Sequence, residues 1–378
     1  MTEKKNQSIE NLVQAIILLL LFVTIIGFLL WPVYLKKKER DKLNLEVEQR
    51  SKREEIDRRA KHIKRQYYYI LGTASRGGAY YYNGCLLSEI FLQNQLARPL
   101  RTVTSAGSLQ NVEALVNSEF DFAMLEYRVL LNKIAENPRI KDKIKLLFKL
   151  WEEQIQIVYR QASWQEKKPT LEELLKTRIS VGRKNSGTAD LYQRICNSLG
   201  INNTETTVQM SYEDAATAMK KGQIDTGFFT GAAPLPAVET LLASSSFKLY
   251  SLSTEEQEKT TKAFPFLRNS SLAKKHYAGL PENLVIASLA HDNYMVCREL
   301  LEEEVIIKFL EVVEKSDSIL KSSSIAWGEV RLLPGENLQV PYHPAVYKWL
   351  KHREEEKTID EEVDTDLEVE EEAVGEEN

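Results

Sequence analysis

The sequence predicts an α/β fold between residues 66 and 350, and three observations support this class. Short apolar runs with the length of buried strands recur along this region. Stretches in which apolar residues repeat at helical spacing lie between them, and such alternation is typical of α/β proteins with a largely parallel sheet. Loops rich in glycine, serine and threonine follow several of the predicted strands, where open α/β sheets bind their ligands.

The individual elements follow from these patterns in chain order. The predicted strands cover residues 67–71, 100–104, 120–125, 154–159, 178–181, 206–209, 226–229 and 285–296. The predicted helices cover residues 79–95, 108–117, 127–136, 170–174, 188–199, 212–221, 235–243 and 302–314. Most of these strands are short, as buried parallel strands usually are.

The N-terminal region contains an uncharged apolar stretch at residues 12–34. At ~1.5 Å per residue a helix of this length crosses a ~30 Å hydrocarbon layer. Trp31 and Tyr34 lie where interfacial aromatic residues are expected. A cleaved signal peptide is the alternative, but its apolar stretch is usually shorter, and no small-residue cleavage site precedes the charged run at Lys36. We therefore expect a polar segment at 1–11 and one transmembrane helix at 12–34.

Two strongly charged segments flank the predicted folded region. Residues 36–65 carry 13 basic and 7 acidic residues and almost no glycine or proline, which favours a charged helical stalk over 35–65. Residues 354–378 hold 14 acidic residues and one lysine, which is typical of a disordered acidic tail. The intervening residues have a net charge of only +2, so nothing in the charge indicates nucleic acid as a partner.

The cysteines and histidines give no sign of catalysis or of a metal site. The three cysteines, Cys85, Cys196 and Cys297, lack C-x-x-C spacing, and we expect each to be a small core residue. The five histidines show no metal-ligand spacing, and no G-x-S-x-G motif marks a nucleophile. We therefore expect a protein that is not an enzyme and that has no cofactor and no metal.

Four loops carry the chemistry that a ligand would use. They comprise residues 72–78, 104–108 with Asn111, 182–188 and 230–234. Unpaired N–H groups at the start of a following helix can hold an anion there, but the same residues also serve as helix caps and turns. Neither G-x-G-x-x-G nor a P-loop motif is present, which excludes the usual nucleotide sites. Taken together, four such loops at strand ends predict a polar cleft.

Several blocks of this sequence resemble the TAXI family of TRAP-transporter solute receptors. They are GTASRGGAYY at 72–81, TSAGSLQN at 104–111, FDFAM at 120–124, GQIDTGFFTGAAP at 222–234 and VPYHPA at 340–345, in the order found in the family. The resemblance covers roughly residues 66–350 and implies a type II periplasmic binding-protein fold. Two hinged lobes would then close over a small ligand, with lobe 1 at 66–157 plus 285–350 and lobe 2 at 158–284.

The resemblance also implies which residues line the cleft and what they bind. Family ligands are small carboxylates and amino acids of the glutamate and 2-oxoglutarate kind, held by hydroxyls and backbone N–H groups near helix ends. Arg76 or Arg183 would add a full positive charge. The implied ligand-binding residues are Thr73, Ser75, Arg76, Tyr80, Ser105, Gly107, Ser108, Asn111, Glu126, Ser186, Gly187, Thr188, Thr230, Gly231 and Pro234.

Two features depart from the family pattern. Ala74 replaces a common glycine, and Glu126 replaces a neutral polar residue after the third strand. A carboxylate in the cleft would repel an acidic ligand unless it is turned away, whereas it would attract an amino group. An amino acid therefore becomes the better ligand if Glu126 faces the cleft.

Function and membrane side are predicted from the same resemblance. We expect a membrane-tethered receptor that captures a small carboxylate or amino acid for TRAP-type membrane subunits, with its binding domain on the outer side of the inner membrane. The lysines at 36–38 and Arg40 directly after the apolar stretch favour the opposite orientation by the positive-inside rule. A cytoplasmic ligand sensor or scaffold is therefore the alternative.

Overall fold

A central sheet organises the residues that the computed structural model describes, which are 67–94, 96–164, 167–201, 205–335 and 338–355. Within them ten strands join this sheet, and they are β1 (Tyr69–Gly72), β2 (Leu100–Val103), β3 (Phe122–Glu126), β4 (Ile144–Arg160), β5 (Ile179–Ser180), β6 (Thr207–Val208), β7 (Thr226–Gly231), β8 (Phe247–Leu249), β9 (Arg268–Leu272) and β10 (Ile286–Arg298). Eight of them follow the order β2-β1-β3-β10-β4-β7-β5-β6, while β8 pairs with β4 and β9 pairs with β10.

Two groups of parallel strands lie on either side of a pair of long antiparallel strands. The first half-sheet consists of β2, β1 and β3, and the second half-sheet consists of β7, β5 and β6. Between them β10 pairs with β3, β4 pairs with β7, and β4 and β10 pair with each other. The α/β class is thereby confirmed, and the two crossing strands agree with the architecture that the resemblance implies.

Helices connect the strands and cover the sheet. They are α1 (Ala79–Asn94), α2 (Ser108–Val116), α3 (Tyr127–Glu136), α4 (Ile140–Lys143), α5 (Leu171–Leu175), α6 (Gly187–Leu199), α7 (Tyr212–Lys220), α8 (Pro236–Leu242), α9 (Thr254–Ala263), α10 (Glu303–Lys315) and α11 (Asp317–Ser323). Residues 344–355 are also helical. All the described residues belong to one compact unit that begins at Tyr67.

Two apolar clusters hold the sheet and helices together. In the larger cluster the Phe309 ring on α10 stacks on Phe91 of α1 and on Phe122 of β3, with centroid distances of 4.7 and 4.6 Å. The smaller cluster packs α5 and α6 against the second half-sheet through residues such as Leu174 and Leu191. Burial of large apolar side chains on this scale is the main force that fixes the sheet and, with it, the loops at its strand ends.

The strand β4 is much longer than the sequence pattern predicts. It runs from Ile144 to Arg160, whereas the prediction covered only 154–159. Its first part reads IKLLFKLW, and nearly all of its side chains are buried. Such a run lacks the alternation of a half-buried strand because helices and neighbouring segments cover both faces of β4.

Other differences have different causes. The strands β8 and β9, the helices α4, α9 and α11 and the helical stretch 344–355 were not predicted. The helix α9 buries only Thr260, so it has no apolar stripe, and a capping box between Ser253 and Glu256 defines its start instead. Cys85 is exposed on α1, so its predicted role as a core residue is wrong, while Cys196 and Cys297 are buried as expected.

Several predicted segments fall outside the described residues. These are the polar segment 1–11, the transmembrane helix 12–34, the stalk 35–65 and the part of the acidic tail beyond residue 355. Glu354 and Glu355, assigned to the tail, belong to the helical stretch that begins at 344. Within the described part of the chain, no helix has the length and apolar character that crossing a bilayer requires.

Candidate functional site

A small polar cavity of about 30 Å³ lies between the two half-sheets. It is formed where β1, β2, β3, β5 and β7 end, which is the edge at which open α/β sheets bind ligands. Its lining residues are Ala74, Ser75, Gly78, Ala79, Tyr80, Ala106, Gly107, Ser108, Glu126, Glu153, Gly182, Arg183, Ser186, Gly187, Thr188, Tyr212 and Thr230. Residues from both half-sheets therefore face one another across it.

The first wall is built around the start of α2. Gly107 precedes this helix with φ of 127°, a conformation that favours glycine, and no side chain among the described residues caps its first turn. Ser105 fixes the loop, because its Oγ accepts the Gly107 N–H at 2.9 Å and donates to the Thr73 carbonyl at 2.9 Å. The unpaired N–H groups at the start of α2 are thus held at the cavity, where they favour a negative group.

The second wall is built around the start of α6 and a network of hydroxyl groups. Ser186 caps α6, since its Oγ accepts the Ala189 N–H at 3.1 Å. The Thr188 hydroxyl lies 2.6 Å from the Tyr212 hydroxyl and 2.7 Å from that of Thr230. The Tyr212 hydroxyl also donates to the Thr230 carbonyl and accepts its N–H. Burial raises the pKa of Tyr212 to about 12, so the phenol stays protonated and can donate.

Across the cavity the two walls approach each other closely. A Cβ added at Gly107 would lie 3.4 Å from the Ser186 Cα, so the gap between the loop before α2 and the loop before α6 has room for little more than a methyl group. The half-sheets are therefore packed against each other at this edge, which explains the small volume of the cavity.

A buried arginine ties the two walls together beneath the cavity. Arg128 on α3 is 3% exposed and binds the Glu126 carboxylate from β3 and the Asp190 carboxylate from α6. It also donates to the Gly187 carbonyl at 3.1 Å. Burial alone would lower its pKa, but Glu126 and Asp190 raise the pKa above its usual value. The arginine thus remains charged and joins β3 to α6.

The floor of the cavity is acidic and comes from strands β3 and β4. Glu126 and Glu153 both line it, and both are buried. Burial raises the pKa of Glu153 well above its usual range, and the neighbouring Glu126 carboxylate raises it further. Glu126 has Arg128 as a counter-charge. Within the described residues Glu153 forms no ion pair with a lysine or arginine side chain, so a positive group that enters the cavity would be drawn to it.

His291 lies directly beneath these two carboxylates. It is opposite Glu153 in the register of β10 and β4, and it is 1% exposed. Its Nε2 is 3.7 Å from Glu126 Oε2 and 4.0 Å from Glu153 Oε2. Burial lowers the pKa of His291 to about 4. Nearby, the Tyr80 hydroxyl donates to Asn293 Oδ1 at 2.7 Å, which fixes the ring that lines the cavity.

Comparison with protein families decides which family this chain represents. A model of the NMT1-like family matches residues 71–353, which is most of the chain and contains every residue of the cavity. The chain belongs to the NMT1-like family. A search of curated proteins found no significant match.

Solved structures also resemble this NMT1-like protein at low identity. MatC from Rhodopseudomonas palustris with bound malate is 13% identical, covers 76% of this chain and 97% of its own, and has a TM-score of 0.46. A protein from Bordetella bronchiseptica RB50 is 12% identical, with coverage of 75% and 88% and a TM-score of 0.46. The alkanesulfonate-binding protein SsuA from Xanthomonas axonopodis pv. citri bound to MOPS is 13% identical, with coverage of 75% and 83% and a TM-score of 0.39.

The structure brings together nine of the fifteen residues that the resemblance assigns to the cleft. They line the cavity from both walls and from the floor, and they are Ser75, Tyr80, Gly107, Ser108, Glu126, Ser186, Gly187, Thr188 and Thr230. Arg183, which the sequence also offered as a source of positive charge, is exposed and lines the cavity from its rim.

The other six residues do not line this cavity. Three of them shape the loops instead: Ser105 fixes the turn before α2, the Thr73 hydroxyl donates to the Val103 carbonyl, and the Asn111 amide donates to two backbone carbonyls. Arg76 is exposed and lies over the Tyr81 ring. The remaining two are Gly231 at the end of β7 and Pro234, which borders a separate cavity of about 400 Å³ next to α1.

The glycine that opens the first loop has a packing role in this NMT1-like protein. A Cβ at Gly72 would lie 2.2 Å from the Phe120 ring, so the strand end requires glycine for close approach. Gly77 has φ of 82° and forms the turn before α1. Of the loop at which we expected an anion site, only the residues from Ala74 onward reach the cavity. Ala74, Ser75 and Gly78 line it.

Three residues at the site were missed by reasoning from the sequence. Glu153 and His291 come from the long crossing strands, and Tyr212 comes from the first turn of α7. For Glu153 and His291 the signal was a charged or titratable residue inside an otherwise apolar strand. Burying such a group costs free energy unless the group is paired. Nothing in the sequence pattern shows that they meet.

Proposed function

We propose that this NMT1-like protein is a receptor that captures a small carboxylate or amino acid in the cavity between its half-sheets. The observation that carries the proposal is the convergence of two helix starts, those of α2 and α6, on one small cavity lined by polar groups. Both helices are long enough to present several aligned N–H groups, and their positive ends favour an acid group. Hydroxyls of Ser75, Thr188 and Thr230 supply further hydrogen bonds around it.

The size of the cavity sets a limit on the solute in this arrangement. About 30 Å³ accommodates only a few non-hydrogen atoms, far less than the ~300 Å³ of an ordinary ligand pocket. A solute of the glutamate or 2-oxoglutarate kind therefore requires the two walls to separate as it enters. We propose that the two lobes, 66–157 plus 285–350 and 158–284, open and close about β4 and β10 for this purpose.

The chemistry of the floor bears on the choice between a carboxylate and an amino acid. Arg128 balances the charge of Glu126, so this carboxylate does not by itself repel an acidic solute. Glu153 is a second acidic group on the same surface, and it favours a solute whose other end is positive or neutral. An amino acid with its carboxylate at the helix starts meets both conditions.

Delivery to a transporter completes the proposal. We propose that the receptor is tethered to the inner membrane by residues 12–34, faces the outside and passes its solute to TRAP-type membrane subunits. The sequence blocks that resemble the TAXI family support this step. The competing proposal is a ligand sensor or scaffold that faces the cytoplasm, which the lysines at 36–38 and Arg40 favour.

A thermal-shift screen tests the binding function. The full-length chain, purified in detergent, is heated with individual amino acids and small carboxylates, and a solute that binds only the folded state raises the melting temperature. Ser75→Ala removes a hydroxyl that lines the cavity, and it should weaken binding about tenfold, as expected for one hydrogen bond to a charged group. Ser318→Ala changes an exposed serine on α11 and serves as the matched control. Absence of any shift across the screen contradicts the receptor.

A second experiment tests the membrane side. Single cysteines are placed between residues 36 and 65 in a chain that lacks the three native cysteines, and a membrane-impermeant thiol reagent is added to intact cells. Labelling is expected if the binding domain faces outward. Protection in intact cells, with labelling after lysis, contradicts delivery from outside and favours the cytoplasmic sensor.

A further inference from the structure

Three potential metal ligands converge at the floor of the cavity. Glu126, Glu153 and His291 each offer one donor atom, and these atoms all lie within 4.8 Å of one another. The three residues come from β3, β4 and β10, so three different strands hold them. All three are almost completely buried, and Glu126 and Glu153 reach the cavity. The cluster is therefore rigidly placed and accessible from the solute side.

His291 lacks the partners that a buried imidazole normally has. Neither its Nδ1 nor its Nε2 has a hydrogen-bond partner among the described residues, and the residue is 1% exposed. Buried polar atoms without partners are rare in native proteins and require an explanation. The Nε2 atom points towards Glu126 and Glu153, which it approaches to 3.7 and 4.0 Å. A group that lies between these three atoms would satisfy the imidazole.

The charges around the cluster favour a cation. Arg128 binds Glu126 and Asp190, and Arg194 also binds Asp190, so these two arginines balance the two carboxylates. Behind the cluster, Lys149 and Arg268 are balanced by Glu152 and Asp292. When ionised, Glu153 leaves one negative charge without compensation, and a cation bound at the floor neutralises it.

The spacing of the donor atoms distinguishes a metal from an ammonium group. Ligands at ~2.1 Å around a tetrahedral metal lie about 3.4 Å from one another. Acceptors at ~2.85 Å around an ammonium nitrogen lie about 4.7 Å apart. The distances from His291 Nε2 to the two carboxylates, 3.7 and 4.0 Å, are nearer to the metal value. For the two pairs that include His291, side-chain movements of a few tenths of an ångström would bring the donor atoms close to the metal spacing.

We propose that Glu126, Glu153 and His291 bind one divalent transition-metal ion, of the Zn²⁺ class, at the floor of the cavity. One imidazole and two carboxylates form a ligand set that Zn²⁺ accepts, and three protein ligands leave a coordination position open. That position faces the cavity. Resting on the proposed function, the inference extends to the solute, because the end of the solute that faces the floor would coordinate the ion while its carboxylate lies at the helix starts. Solute binding would then depend on metal.

Zinc binding to the full-length chain tests the site without reference to any solute. The protein is treated with EDTA, dialysed and titrated with Zn²⁺ alone in a calorimeter, and one ion per chain should bind and raise the melting temperature. Glu153→Gln and His291→Gln should each weaken binding at least about 30-fold, within the range that loss of metal-site residues produces. His352→Gln, an exposed histidine in the helical stretch 344–355, should bind as the wild type does.

Folding of the variants is checked by circular dichroism. Glu153→Asp keeps the carboxylate charge, but its shorter side chain holds the ligand oxygen farther from the metal position. It should fold and bind Zn²⁺ more weakly than the wild type. The proposal is overturned if the wild-type chain binds no Zn²⁺, or if His291→Gln and His352→Gln lower the affinity equally. Solute binding that persists in EDTA, with no Zn²⁺ bound, contradicts the metal site and leaves the receptor standing. Zinc binding without any solute shift supports the metal site and contradicts the receptor.

Discussion

Gly187 provides the sharpest test of how the two walls meet. It is the first residue of α6 and faces Glu126 across the cavity floor. A Cβ at this position would lie 1.6 Å from Glu126 Oε1 and 2.4 Å from its Cδ. Since an ordinary van der Waals contact needs about 3.4 Å or more, Gly187→Ala forces the Glu126 carboxylate to retreat by roughly 2 Å. The Gly187 backbone itself accepts alanine, because its φ is not in the left-handed region.

The size of the effect follows from what holds Glu126. Its carboxylate is buried and bound to Arg128, so a retreat breaks a buried ion pair, which costs about 3–5 kcal/mol. Alanine in a helix gains up to about 1 kcal/mol over glycine. The net expectation is a loss of about 2–4 kcal/mol in the free energy of unfolding. Because Glu126 and Gly187 lie on opposite walls, the same steric conflict also forces the walls apart.

Urea unfolding of the full-length chain measures this loss, and a double-mutant cycle assigns it. In a Glu126→Ala background the methyl group at 187 has room, so Gly187→Ala should then cost almost nothing. Gly328→Ala is the control, since no atom lies within 4 Å of its added Cβ and its φ is not positive. The reasoning is refuted if Gly187→Ala and Gly328→Ala have equal effects, or if the loss at Gly187 is unchanged without Glu126.

Three further variants probe neighbouring parts of the structure by urea unfolding. Arg128→Met leaves Glu126 buried without its counter-charge and should lower the free energy of unfolding by about 3–5 kcal/mol. A loss under about 1 kcal/mol would show that the ion pair does not join the walls. Tyr212→Phe removes a hydroxyl that bonds both backbone groups of Thr230, so we expect a loss of about 1–3 kcal/mol, and no loss would contradict that network. Burial raises the pKa of Glu256, but hydrogen bonds from the Ser253 and Leu171 N–H groups and from the Tyr250 hydroxyl together lower it more, and the net direction is downward. The stabilisation that Glu256 provides is therefore present above its unfolded pKa of ~4.3 and is lost as the pH falls through the folded pKa. Glu256→Gln should lower the free energy of unfolding at pH 7 and match the wild type in acid. A difference between variant and wild type that stays constant with pH would be inconsistent with this linkage.

The sequence was sufficient for those parts of the fold that depend on local pattern. Helices such as α3 and α6 carry an apolar stripe and a clear start, so their bounds agree with the prediction to within a residue. The loops at strand ends were recognised because glycine and hydroxyl residues cluster there. The strand β9 reads RNSSL and has no apolar alternation, so only its pairing with β10 reveals it.

The floor of the site was beyond the reach of local pattern. Glu153 and His291 are opposite each other only because β4 and β10 pair antiparallel in one register. This register shifts between Asp292 and Tyr294 and again between Met295 and Val296. That register depends on packing between segments more than a hundred residues apart, and no periodicity within either segment encodes it. The sequence therefore predicted a polar cleft with hydroxyl walls and Glu126 in it, and missed Glu153 and His291.

Glu126 illustrates how the structure changes the meaning of a residue. From the sequence it was a charge that would repel an acidic solute unless it turned away. In the structure Glu126 lines the cavity, yet Arg128 balances its charge. The same arginine also binds the Asp190 carboxylate and the Gly187 carbonyl of α6. The acidic residue and its arginine thus connect the two walls before any solute arrives. In the proposed receptor the solute would therefore not have to supply the whole energy of closure. The charge in the floor that has no lysine or arginine partner among the described residues is that of Glu153, when it is ionised.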